Sequence, residues 1–193
     1  QGSGNYGDVA DSVALVVKKA RLAVSVADTV RLYKTENPAF VIRYEGFVGN
    51  DGTHSLSELP QAQTTAVVDS DPGEYPITLS GGAADNYELV YVEGAKLIVD
   101  KLTPLIDTTP IQVVYGNEPV ALTSNNPDGV LRCTPADTTV ARFADGQVVI
   151  KNAGKTVLTV SQDESAYYHA SDTVEVELQV DKAMLTVAVA DTS

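Results

Sequence analysis

Two histidines and one cysteine are the nucleophilic or soft-ligand groups of this 193-residue chain. A catalytic thiol needs an activating base, usually histidine. Cys133 lies in LRCTPAD, distant in sequence from both His54 and His169. Its alternation with Leu131 instead suggests a strand position, where cysteine acts as a small hydrophobe. A lone cysteine excludes an intrachain disulfide framework and a cysteine-based zinc site. Asp51, His54 and Ser55 have the residue types of a hydrolytic triad, but sequence neighbours rarely form one. His54, in the polar stretch GTHS, reads as solvated, and His169 as a surface or junction residue. The chain contains no phosphate-cradling glycine loop, GxSxG elbow, HExxH or CxxC. Gly81-Gly82 falls between two β runs and reads as a turn. No catalytic residue, metal site or cofactor is expected.

Binding chemistry leaves two candidates. Asn50-Asp51-Gly52, Asp69-Ser70-Asp71 and Asp163-Glu164 are acidic clusters of the sort that hold calcium, yet none has the ligand count or spacing of a recognised calcium loop. Tyr167-Tyr168 is the one aromatic pair that a glycan platform would need. Aromatic residues make up 6% of the chain and tryptophan is absent, so that platform is thin. The net charge of −13 repels nucleic acid and anionic membrane surfaces. No apolar run approaches the roughly 18 residues of a transmembrane helix.

The elements that position these groups read as β throughout. Runs rich in valine and threonine occupy 12–17, 22–27, 40–44, 64–68, 75–80, 88–92 and 96–99. Others follow at 111–115, 120–123, 131–134, 147–151, 155–161 and 173–180. Turn signals such as Asp71-Pro72-Gly73, Asn126-Pro127-Asp128-Gly129 and Asp145-Gly146 separate them. Short strands at this spacing predict sandwiches or small barrels. One stretch differs. Residues 52–61, GTHSLSELPQ, predict a helical turn with Thr53 or Ser55 as cap and Pro60 as stop.

The chain also repeats itself. KARLAVSVADT, starting at Lys19, returns as KAMLTVAVADT from Lys182, 163 residues later, with eight of eleven positions matching. VVKKARL, IVDKLTP and QVDKAML place Lys19, Lys101 and Lys182 at intervals of 82 and 81 residues. Tyr33 and Tyr115 are also 82 apart. The chain therefore reads as a window from a tandem array of modules of about 80 residues, a size at the small end of the domain range. No Gly/Ser-rich linker separates a closing strand from the next opening strand, which predicts a stiff, extended array.

The first module resembles the MBG family of bacterial surface repeats. The resemblance rests on Tyr33, Asn37 and Pro38, then Tyr44, Gly46, Phe47 and Gly49, then Gly73, Tyr75 and Ile77, and finally Asn86, Tyr87, Gly94, Leu97 and Val99. It departs once: the glycine of the family's Tyr-Gly-x-x-Asn-Pro box is Lys34 here. The second module resembles a bacterial immunoglobulin-like repeat through DGQVVI from Asp145, AGKTVLTV from Ala153 and the stretch from Tyr167-Tyr168 to Val180.

The expected fold is all-β. An MBG-like module at 19–100, either a sandwich or a β-grasp-like sheet with one short helical turn, precedes an immunoglobulin-like sandwich at 101–181. Residues 1–18 read as the closing hairpin of an upstream immunoglobulin-like module. Residues 182–193 read as the first strand of a downstream MBG-like one. The resemblance implies a non-catalytic stalk or adhesion region of an exported bacterial cell-surface protein. The alternative is a module that binds carbohydrate or a host surface protein. Expected partners are neighbouring modules of the same chain, with unpaired strand edges at both ends recruiting a neighbour.

Overall fold

The computed structural model describes residues 13–186, and the expectations for residues 1–12 and 187–193 lie outside them. Strands account for nearly all regular structure. They are β1 (Ala20–Val26), β2 (Thr29–Leu32), β3 (Ile42–Glu45), β4 (Glu58–Thr64), β5 (Gly73–Ala83), β6 (Tyr87–Tyr91) and β7 (Lys96–Asp100). The second half adds β8 (Ile111–Val114), β9 (Val120–Ala121), β10 (Leu131–Pro135), β11 (Ala141–Ala144), β12 (Gln147–Ile150), β13 (Gly154–Gln162) and β14 (Val174–Asp181). The only helical segment among the described residues is a 3-10 turn at Thr53–Ser55.

Contacts divide the chain into two compact units. Unit 1 holds Pro38–Thr65, Tyr75–Leu97 and the described residues up to Thr29. Unit 2 holds Val30–Asn37, Ala66–Glu74 and the described residues from Ile98 onward.

Seven strands of unit 2 form two sheets, ordered β10-β13-β14-β8 and β11-β12-β9. With β9 to β14 read as strands B to G, one sheet is C-F-G and the other D-E-B, the partition of an immunoglobulin-type sandwich. The strand β8 pairs parallel to β14, with Leu178 opposite Ile111 and Asp181 opposite Val114. Period-two patterning builds the core. In VEVELQVD, Val176, Leu178 and Val180 are at most 2% exposed, while Glu175 and Glu177 face water and Gln179 is half-buried. They pack with Val148, Leu158, Val160 and Leu122, drawn from both sheets. Burying each such side chain stabilises by roughly 1.5–3 kcal/mol.

In the first half, β3-β1-β6 form one sheet and β2-β7-β5-β4 another. The strand β1 runs antiparallel to β3 and parallel to β6, with Ala20 opposite Tyr87. Leu22 is fully buried with Ala84 and Tyr87, and Phe47, Tyr44 and Leu56 close over them. The ring of Phe47 meets Tyr87 edge-on at 5.5 Å. Among the described residues no helix crosses a sheet, so the β-grasp alternative gives way to two sheets.

Several local expectations fail for identifiable reasons. The short helical turn expected in residues 52–61 is present as Thr53–Ser55, but it has no side-chain cap, and Pro60 does not stop it: Pro60 lies inside β4, paired with Gly81. The strand β4 is the outer member of its sheet, where a residue lacking an N–H is tolerated. In the expected run 64–68 only Thr64 is in a strand, and residues 13–17 of the run 12–17 are in none. The strands β2 and β11 were missed. ARFA is poor in β-branched residues, but Asp145 (φ 52°) and Gly146 (φ 77°) form a tight left-handed hairpin turn that closes β11 onto β12.

Gly46 has φ +116°, and a Cβ there would lie 2.6 Å from the Arg21 carbonyl oxygen. Gly49 also has positive φ (+63°) but open space around it. Gly46→Ala is therefore expected to cost about 2–4 kcal/mol and Gly49→Ala only about 1 kcal/mol. Urea denaturation of the two variants measures this. Equal losses would show that the close approach to Arg21 does not matter.

Candidate functional site

The opening lysines hold the same place in both modules. The Lys19 ammonium donates to the Ala84 carbonyl at 2.9 Å, and that of Lys101 to the Ser165 carbonyl at 2.8 Å. One residue on, the Ala20 N–H donates to Asn86 O and the Leu102 N–H to Tyr167 O, both at 2.9 Å. Ala20 pairs parallel with Tyr87, and Leu102 forms a parallel bridge with Tyr168. Further along, the Tyr33 N–H donates to Asp100 O at 2.7 Å and the Tyr115 N–H to Asp181 O at 2.8 Å. Lys19, Ala84, Asn86 and Tyr87 thus correspond to Lys101, Ser165, Tyr167 and Tyr168. The lysine spacing was legible in the sequence; the carbonyls that receive the lysines were not, because backbone acceptors leave no residue-type signal.

Unit 2 surrounds Lys101 with polar contacts. The Lys101 ammonium also meets the Glu164 carboxylate. His169 places Nε2 2.9 Å from Asp100 Oδ1 and donates its backbone N–H to Leu102 O at 2.9 Å.

Tyr167 and Tyr168 make different contacts. Tyr168 bridges to Leu102 through its backbone. The Tyr167 ring stacks on Tyr33, with centroids 4.6 Å apart and planes within 12°. Tyr33 lies near no residue of the pair in sequence, and only folding brings it there. Asp71, then Tyr33, raises the Tyr167 phenol above its ordinary value.

The three acidic clusters have other engagements. Asp69 pairs with the Lys34 ammonium at 2.6 Å. Asp163 receives a two-pronged grip from the Arg132 guanidinium, at 2.7 and 2.6 Å. Glu164 pairs with Lys101. Asp51 accepts the Tyr87 hydroxyl at 2.5 Å, and the same hydroxyl accepts the Val48 N–H at 3.0 Å. Among the described residues, no group of three or more His, Cys, Asp or Glu side chains has the arrangement to hold a metal ion.

The Tyr87 hydroxyl, then Ser55 and more weakly His54, lower the pKa of the Asp51 carboxyl. Cys133 sits in β10 opposite Val160, and burial raises its thiol pKa, opposite to the shift a nucleophile needs.

Buried Arg31, 6% exposed, is the polar anchor that sequence reading missed. It donates to Asn37 Oδ1 at 2.7 Å, Leu32 O at 3.0 Å and Val67 O at 2.5 Å. Asn37 passes the link on to Ala66 O at 2.6 Å. This network fixes segments Val30–Asn37 and Ala66–Glu74, which carry Tyr33 and Asp71.

No curated protein matches the chain. Among solved structures, the tandem Ig repeats of Dlar align with TM-score 0.29 and 12% identity, over 86% of this chain and 97% of that one. Fibronectin(III)-like modules of Clostridium thermocellum CbhA align with TM-score 0.25 and 14% identity, over 88% and 100%.

Two predictions follow from this geometry. In a double-mutant cycle of Tyr33→Ala and Tyr167→Ala, thermal or urea unfolding should return a coupling of about 1 kcal/mol. Strict additivity would mean the rings do not interact. The second concerns pH. The Tyr87 hydroxyl, then Ser55, holds the Asp51 carboxyl below its ordinary value. That stabilisation is present above the unfolded carboxyl pKa, about 4, and is lost as pH falls through the folded value. Tyr87→Phe should raise the Asp51 titration midpoint, read by carboxyl NMR, and the stability gap to the parent should narrow below about pH 4. A gap constant down to pH 2 would remove Asp51 as the partner.

One part of the chain has a family match: residues 22–97 fit the model described as MBG domain (YGX type).

Proposed function

We propose that this chain is a non-catalytic stretch of the stalk of an exported bacterial surface protein, where tandem modules hold a distal domain away from the cell and contribute to adhesion. The supporting observation is the recurrence of the opening contacts, Lys19 to Ala84 and Lys101 to Ser165, in two modules whose strand orders differ. Each module is closed by backbone at its ends. Its polar side chains are spent on such contacts rather than gathered at one reactive centre. The proposed modules are 19–100, of MBG type, and 101–181, of immunoglobulin type, with 1–18 and 182–193 belonging to their neighbours in the array.

The mechanism is mechanical. Closing strands pass to opening strands without a flexible linker, which limits bending. The net charge of −13 repels neighbouring stalks and suppresses non-specific association. The rival reading, a glycan-binding module, would have to use a Tyr167 ring that is already stacked on Tyr33.

Arrays of one, two and three copies of the repeating unit test the reading. Small-angle scattering should give a maximum dimension that grows linearly with copy number. Growth with the square root of copy number, the behaviour of flexibly linked beads, would refute the spacer role.

A further inference from the structure

The lysine equivalences extend to a surface left open on each side. Tyr33, Asp100 and Lys101 carry the stacked partner Tyr167. Their counterparts one module on are Tyr115, Asp181 and Lys182, and here the backbone bond from Tyr115 to Asp181 is made. The Tyr115 ring has no stacking partner among the described residues and is 51% exposed. Beside it lies a depression of about 410 Å³, lined by Tyr115, Asn152, Ala153, Lys182, Met184 and Leu185. Unit 1 has a second depression of about 350 Å³, lined by residues including Lys18, Lys19, Val48, Asp85, Asn86 and Tyr87. Its Lys19 and Asn86 are the counterparts of Lys101 and Tyr167.

Exposure of apolar residues tells the same story. Leu185 repeats Leu22, and the two are 88% and 0% exposed. On the other side, Leu15 and Val17 repeat Leu178 and Val180. The first pair is 86% and 83% exposed, the second 1% and 2%. Each exposed side chain has a copy of itself that is buried once the surrounding strands are supplied.

We infer that the face carrying Tyr115, Asp181 and Lys182 docks the Ala84–Asn86 face of a further copy of this unit in the same polypeptide, with Lys182 and Ala183 standing where Lys19 and Ala20 stand in this copy. In that contact the Ala183 N–H takes the bond made by Leu102 and Ala20, donating to the Asn86 carbonyl of the further copy. The Lys182 ammonium takes the Ala84 carbonyl, and the Tyr115 ring lies over the Asn86 side chain, as Tyr33 lies over Tyr167. Covalent linkage makes the encounter intramolecular, so a contact too weak to dimerise free chains still forms. The inference rests on the tandem-array reading of the repeated segments.

The test is a two-copy protein: the full chain continued after Thr192 with a second run from Val30 to Ser193. Hydrogen exchange at Ala183 and the Tyr115 ring resonances are compared with those of the single chain. Ala183 should slow by at least about a hundredfold, as an amide moves from open segment to strand. The Tyr115 resonances should shift, and Asn86→Ala in the second copy should shift them again while leaving Tyr33 unchanged. A slow Ala183 with unmoved Tyr115 resonances overturns the docking face and leaves the array reading intact. An Ala183 as fast as in the single chain overturns both.

Discussion

Each module depends on one long-range closure: the backbone that opens it must be received by the segment that precedes its last strands. At Ala20 and at Leu102 the opening N–H reaches a carbonyl some 65 residues away, and the preceding lysine caps a second carbonyl beside it. The cost of such closure grows only slowly with loop length, but it must be met before any core contact in between helps. Parallel pairing makes the requirement strict. A strand that opens the module and runs parallel to a late strand cannot be joined to it by a hairpin, so the whole intervening chain must fold to bring them together. The recurrence of this closure over two different strand orders shows that the ends of a module are more constrained than its middle.

A chain with 26 acidic and 13 basic residues cannot pair every carboxylate. Four of its cations have defined partners: Lys101 at Glu164, Lys34 at Asp69, Arg132 at Asp163, and Arg31 among neutral oxygens of Asn37, Leu32 and Val67. The exposed pairs contribute little stability individually. Arg31 differs. It is buried, it is met by neutral acceptors, and removing an acceptor would leave a desolvated charge, so its hydrogen bonds are costly to lose.

The β character, the turns and the module starts were legible because alternation, Gly-containing turns and spaced lysines are local signals. The missing strands show what local signals omit. TVRL and ARFA are only four residues long with one arginine each, and ARFA has no β-branched residue; they are strands because neighbouring strands receive them. Pro60 was read as a helix stop because proline does stop helices; that it lies on an outer strand is a fact of sheet order, invisible in the segment itself. The candidate site divides the same way. Tyr167 was legible as an aromatic near the closing hairpin, whereas its partner Tyr33 is 134 residues distant and is placed by its bond to Asp100 and by the Arg31 network beside it.

Lys34 shows how far such a network can override local preference. The matching box in the resembled family has glycine there, and the backbone keeps the left-handed conformation that glycine favours, at φ 63°. A non-glycine residue in that region costs about 1–2 kcal/mol. The ammonium recovers part of this by pairing with Asp69 and lying 5.3 Å from the Tyr33 ring centre, though both contacts are solvent-exposed and weak. The remainder falls on the frame around it: the Thr35 N–H bonded to Leu32 O, Asn37 gripped by Arg31, and the Tyr33 N–H fixed on Asp100. The turn is held by what flanks it, so residue 34 is free to vary in type while its backbone is not. The same logic makes Gly116, at φ 94° beside Tyr115, the counterpart that keeps the glycine.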